Sequence, residues 1–199
     1  MNNKTKFISE ISVLTSLTIV ITLILIIPLP SNSGYLNLSD AMIMIASNVT
    51  SPLGGFIVGA LSGGICDLVA GYGAYIPFTI IIKGIEGYLA GYLFKKLNNK
   101  TLKYLSLFIC GLLMGILYFI PDFIYYGVSV ALLNLPLNIL QGILGATIAS
   151  LIILLIKKNK KALNNWAPLF YLYFDSLRAC KAPLSMALIT SVINSTAAL

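Results

Sequence analysis

Long apolar runs, cut by short polar breaks, fill the chain up to about residue 157. A helix rising 1.5 Å per residue needs about 20 such residues to cross a hydrocarbon layer of about 30 Å. The first run, Phe7–Ile27, stops at Pro28 and Pro30. A polar turn over Pro28–Ser39 leads to a short second span, Asp40–Val49. The third, about Leu53–Val69, is glycine-rich and is broken at Gly71-Tyr72-Gly73. The fourth runs over about Tyr75–Phe94 and stops at Lys95-Lys96. The fifth starts after Lys103 and reaches Ile120, ahead of Pro121; the sixth runs over about Leu135–Ile156. Phe7–Ile27 exceeds the roughly 7–15 apolar residues of a secretory signal and no small-x-small site follows it, so it reads as a retained span.

Composition narrows the class. Apolar residues make up 58% and charged ones 10% of 199 residues, with mean hydropathy +0.95. Ordinary soluble domains carry about 25% charge. A soluble enzyme, a disordered chain and a disulfide scaffold are excluded, and an all-α, polytopic, six-transmembrane-helix bundle is expected. The net charge of +7 comes from clusters rather than a basic face, since no Lys or Arg lies between Lys6 and Lys83 or between Lys103 and Lys157. Nucleic acid is therefore not an expected partner; membrane lipid is. Six spans place Lys4/Lys6, Lys95/Lys96/Lys100/Lys103 and Lys157/Lys158/Lys160/Lys161 on one side, as the positive-inside rule requires. Both ends of the bundle are then cytoplasmic, in a plasma membrane. The outward segments are Pro28–Ser39, Ala70–Ala74 and Pro121–Asn134.

The bundle is expected over residues 1–160. Residues 161–199 form an atypical tail, interfacial or disordered: all 16 glycines precede it, and it holds the sole Trp (Trp166) and the sole Arg (Arg178). Cys66, Cys110 and Cys180 make no CxxC, and the chain has no histidine, so neither a metal nor any other cofactor is expected.

Small residues four apart let helix backbones approach closely. Gly55, Gly59 and Gly63, with Gly111 and Gly115, point to packing within the bundle. Ser9, Ser12 and Ser16 form a small-residue stripe on the first span, suited either to internal packing or to a docking face.

Ionisable residues inside spans are expensive and usually face a cavity. Asp40, Asp67, Lys83, Asn138 and Gln141 fall in the outer half of the bundle, with Tyr35 and Tyr75 near them. The inner half is apolar. This asymmetry predicts a pocket for a small polar ligand, open to the outside and closed below. Other readings stay open at this level. Ser39 or Asp40 can cap a helix, and Lys83 can pair with Glu86 three residues on or with Asp67 across helices. Asp122 reads as a solvated loop residue.

The stretch Gly34-Tyr35-Leu36-Asn37-Leu38-Ser39-Asp40 resembles a segment of the S components of energy-coupling factor (ECF) transporters. So do Ser51-Pro52-Leu53-Gly54-Gly55, Gly63-Gly64-Ile65-Cys66-Asp67-Leu68, Ile81-Ile82-Lys83-Gly84 and Pro136-x-Asn138-x-x-Gln141-Gly142, in order from about residue 5 to 157. The branch resembled includes riboflavin-type and thiamine-precursor or pyridoxine S components. The resemblance implies a high-affinity, six-helix vitamin binder that is not an enzyme. It implies docking on a shared transmembrane coupling protein driven by two ATPase subunits, and a first outer loop that acts as a lid. The family's docking stripe has alanines where this chain has Ser12 and Ser16. The expected ligand is pyridoxine or a hydroxymethylpyrimidine, bound by Asp40, Asp67, Lys83, Asn138, Gln141, Tyr35 and Tyr75. The competing class is an autonomous secondary transporter, but no convincing repeat relates residues 1–80 to 81–160. An intramembrane enzyme lacks its motifs: there is no HExxH and no GxSxG.

Overall fold

A computed structural model describes residues 3–29 and 33–158. The expected tail, 161–199, lies outside the described residues. Residues Met1–Ile153 form one compact unit; of a second, Leu154–Leu199, the described part is the helical stretch to Lys158.

The described chain is almost wholly helical. Helix α1 (Asn3–Ile24) is followed by a two-residue hairpin, β1 (Ile27–Pro28) against β2 (Tyr35–Leu36), antiparallel with Ile27 opposite Leu36. Then come α2 (Ser39–Val49), α3 (Pro52–Ala70), a single 3₁₀ turn (Gly73–Tyr75), α4 (Ile76–Lys96), α5 (Lys100–Leu117), α6 (Phe119–Tyr126) and α7 (Val128–Lys158). Four stretches are long and apolar enough to cross a membrane: Lys4–Ile24, Pro52–Ala70, Lys100–Tyr126 and Val128–Lys157. Helix α4 has the length but carries Lys83 and Glu86, and α2 has only 11 residues. The six expected spans correspond to α1, α2, α3, α4, α5 with α6, and α7.

Local chemistry sets the boundaries. Ser51 caps α3 by accepting from the Gly54 amide at 3.0 Å, and Pro52 occupies the first turn, where its missing N–H is harmless. Gly71 ends α3 at φ 85°, a conformation that costs side-chain-bearing residues far more. Asn99 caps α5 through the Thr101 amide.

One boundary differs from expectation. Pro121–Asn134 is not a loop. Pro121 sits near the start of α6, and Gly127 at φ 81° separates α6 from α7. Helix α7 then begins seven residues before the expected Leu135 and carries Pro136 inside it. A proline is tolerated there because neighbours within a bundle satisfy the backbone groups it frees.

Close helix contacts depend on missing side chains. A Cβ at Gly59 on α3 would collide with the Lys83 carbonyl on α4, and one at Gly111 on α5 with the Gly142 carbonyl on α7. Below these contacts lies a dry core of Met44, Ile45, Ala90, Phe94, Leu107, Cys110, Ala146, Ala149 and Ile153. Exposed leucines and isoleucines, among them Leu68, Leu132, Leu151 and Leu155, coat the outside as a lipid-facing surface requires.

Candidate functional site: a polar cavity at one end of the bundle

The opposite end of the bundle is polar. It encloses a cavity of about 40 Å³, room for about three waters. Its walls include Thr22 of α1, the α1–α2 loop (Leu29 and Ser33 to Tyr35, with Asn37), Asp67 of α3, Tyr75, Thr79 and Lys83. Tyr118, Asp122, Asn138 and Gln141 complete them. Helix geometry gathers these groups. Asp67 lies in the last turn of α3, Thr79 and Lys83 share one face of α4 at a four-residue spacing, and Asn138 and Gln141 share one of α7 at three.

The floor is ionic. The Lys83 ammonium hydrogen-bonds Asp40 Oδ1, and Gln141 Nε2 donates to Asp40 Oδ2 at 2.6 Å. Glu86 Oε2 stands 3.7 Å from the same ammonium. Asp40 is wholly buried and lies outside the cavity lining, which it meets through Lys83 and Gln141. Of the two pairings open for Lys83, Glu86 is therefore the longer partner of a shared cation. Asp67 instead accepts from the Tyr35 hydroxyl at 2.8 Å.

The α1–α2 loop is tied over the cavity from three sides. Tyr35 reaches Asp67 on α3, the Asn37 amide donates to Gln141 Oε1 at 3.0 Å, and Asn134 Nδ2 donates to Ser33 Oγ at 2.6 Å. Tyr35, Tyr72 and Tyr75 form a ring chain with centroids 5.3 and 6.5 Å apart. Burial, then the Asp67 carboxylate, raises the Tyr35 phenol well above its ordinary value; burial, then the hydrogen bond to Asp122, does the same at Tyr75. Both stay neutral donors at physiological pH.

Asp122 corrects the sequence reading. It is 2% exposed, not solvated. Its Oδ1 accepts from Tyr75 at 2.6 Å and its Oδ2 from Asn134 at 3.0 Å. The residues around it were read as a loop because of Pro121; the usable signal was that proline is at home in a first helical turn. Thr79 and Tyr118, hydrogen-bonded to each other at 3.2 Å, also line the cavity and carried no sequence signal beyond being polar near span ends.

On α1, Ile11, Thr15, Thr18 and Thr22 are buried, while Ser12 and Ser16 are exposed and Ser9 is half-buried. Each serine hydroxyl donates to the carbonyl four residues back at 2.9 Å. The stripe is thus small and internally satisfied.

Residues 2–158 match the family model of the ECF-type riboflavin transporter, S component. The chain belongs to this family. A thiamine precursor transporter, HmpT of Lactococcus lactis subsp. cremoris, is 32% identical over 160 residues, covering 79% of this chain and 92% of that protein. An uncharacterized protein of Pyrococcus woesei is 31% identical over 139 residues, covering 70% and 93%. This S component is accordingly a multi-pass membrane protein of the vitamin-transporter class.

Proposed function

We propose that this chain is the substrate-binding subunit of an ECF-type importer for a single-ring vitamin or vitamin precursor, with pyridoxine or a hydroxymethylpyrimidine as the favoured ligand. The observation that carries the reading is the cavity itself: small, walled by a tied loop, and lined by carboxylates, amides, phenols and one ammonium. A hydroxylated heteroaromatic ring needs this mixture of donors, acceptors and ring faces. At about 40 Å³ the cavity would have to widen for any vitamin, and least for one ring. Tyr35, Asp67, Tyr75, Lys83, Asn138 and Gln141 contact the ligand, and Asp40 holds Lys83 and Gln141 in position.

The membrane-embedded bundle of residues 1–160 delivers its ligand with a transmembrane coupling protein and two ATPase subunits. Ser9, Ser12 and Ser16 on α1 form the docking stripe, supported by the exposure of Ser12 and Ser16. The cavity end faces outward and the lysine-flanked ends face the cytoplasm, supported by the charge clusters.

Mass spectrometry of small molecules released from the protein purified from its native membrane, followed by calorimetry across a vitamin panel, tests the reading. A co-purifying single-ring compound that binds tightly is expected. Riboflavin binding alone, or no binding by any vitamin, would refute it.

A further inference from the structure

The end of the bundle remote from the cavity carries concentrated positive charge. No acidic residue lies between Glu86 and Asp122, and that stretch holds Lys95, Lys96, Lys100 and Lys103. All four flank one short turn, Lys95 and Lys96 at the end of α4 and Lys100 and Lys103 at the start of α5. Lys95, Lys96 and Lys100 are exposed and Lys103 is half-buried. Their printed partners are neutral. The Lys95 ammonium donates to the Thr50 carbonyl at 3.0 Å, and that of Lys96 donates to the Tyr92 hydroxyl at 3.1 Å and lies 5.2 Å from the centre of the same ring. The Lys103 ammonium lies 5.9 Å from the centre of the Phe94 ring. Among the described residues the ion pairs are those of Lys6 with Glu10 and of Lys83 with Asp40 and Glu86, so none involves these four lysines.

The charges stand at the end of an apolar stripe. Ile81, Ile85, Tyr88, Tyr92 and Lys96 follow one another at three- and four-residue steps and therefore share one face of α4. All five are exposed. The Tyr88 and Tyr92 rings stack 6.1 Å apart at 9°, which makes a flat wall. From Lys96 to Ile85 the helix rises about 16 Å, close to the depth of one leaflet of a hydrocarbon layer about 30 Å thick. We propose that this face binds an anionic phospholipid, with its phosphate at the lysines of the α4–α5 turn and one acyl chain along Tyr92, Tyr88 and Ile85. The unpaired positive charge selects the headgroup, because a lysine near an anionic lipid surface gains about fivefold in affinity and a zwitterionic headgroup returns much of that gain through its own cation. The apolar wall selects a lipid over a soluble anion, which would meet the charges alone. The tyrosines suit the boundary level, where amphipathic rings gather.

The test is native mass spectrometry of the purified full chain in detergent micelles, titrated with phosphatidylglycerol or with phosphatidylcholine of the same acyl chains. The first phosphatidylglycerol is expected to bind about 10- to 30-fold tighter than the first phosphatidylcholine, about fivefold for each of two lysines. Lys96→Gln with Lys100→Gln is expected to cut that preference at least fivefold. Lys4→Gln with Lys6→Gln, which removes the same charge from α1, is expected to leave it within twofold. Millimolar glycerol 3-phosphate, which has the anion and no chain, is expected to leave the lipid bound. Equal affinity of the wild-type chain for the two lipids would overturn the proposal, whether or not the variants fold. An equal loss in the α1 control would overturn the assignment to the α4–α5 turn, and displacement by glycerol 3-phosphate would overturn the choice of a lipid.

Discussion

Removing Asp40 isolates the ionic floor. Asp40 is wholly buried and Lys83 is 3% exposed, so solvent screens their interaction little. Stripping one partner from such a pair typically costs about 3–5 kcal/mol, because the other charge stays buried. Glu86 Oε2, 3.7 Å from the ammonium, remains as a second-best partner and moves the estimate for Lys83 to the lower end, about 3 kcal/mol. Gln141 also loses the acceptor of its 2.6 Å hydrogen bond, adding about 1 kcal/mol. Asp40→Ala should therefore lower the unfolding free energy by about 4 kcal/mol, and Lys83→Met by about 3 kcal/mol. The double variant removes both charges and should lose only about 4–5 kcal/mol, a coupling of about 2–3 kcal/mol. Equilibrium unfolding in mixed micelles, followed by circular dichroism, gives all four corners of the cycle. Single effects that add within about 0.5 kcal/mol would show that the two residues do not act as a pair, and the reasoning would fail.

Three further outcomes follow from other contacts. Gly59→Ala pushes a methyl into the Lys83 carbonyl and should destabilise the protein by about 1–3 kcal/mol, whereas Gly73→Ala, with open space around it, should stay within about 0.5 kcal/mol in the same unfolding measurement. Asn134→Ala removes the hydrogen bond to Ser33 and a donor from Asp122; stopped-flow should show ligand dissociation about fivefold faster with association little changed, and an unaltered dissociation rate would count against the loop tie. Ser12→Leu with Ser16→Leu, at exposed positions, should leave ligand affinity intact yet abolish uptake by the transporter reassembled in liposomes, and normal uptake would remove α1 from the docking role.

Much of this was readable in the residues. Apolar length and glycine spacing announced a helical bundle, and polar residues gathered at one end announced a cavity there. The convergence of Asp40, Lys83 and Gln141, from α2, α4 and α7, was expected only as a shared depth. Depth says which groups lie at one level; it does not say which one faces the cavity and which stands behind. Asp40 went behind because Gly145 on α7 sits against its Cβ, a packing relation that no single-helix pattern encodes. Asp122 was missed for a different reason. Proline breaks a helix interior but suits a first turn, and the run around Pro121 was read the first way.

The loop ties and the proposed ligand site share atoms, and that sharing would give the cavity a way to open. Among the described residues, the contacts that hold the loop include Tyr35 to Asp67, Asn37 to Gln141, Ser33 to Asn134, and the Tyr72 hydroxyl to the Gly34 carbonyl at 3.3 Å. At about 1 kcal/mol net each, these four contribute about 4 kcal/mol to closure. That is tight enough to shelter a ligand and loose enough to exchange one without unfolding the bundle. The floor differs, because its charges have nowhere else to go. Gln141 connects the two: Oε1 holds the loop and Nε2 holds Asp40. A ligand that contacts Asp67 and Gln141 competes with or reinforces two of the four loop contacts, whereas one that touched only the aromatic rings would leave closure unchanged. On the proposed site, occupancy would therefore be transmitted to the loop through named hydrogen bonds, with no need for a rearrangement of the helices beneath.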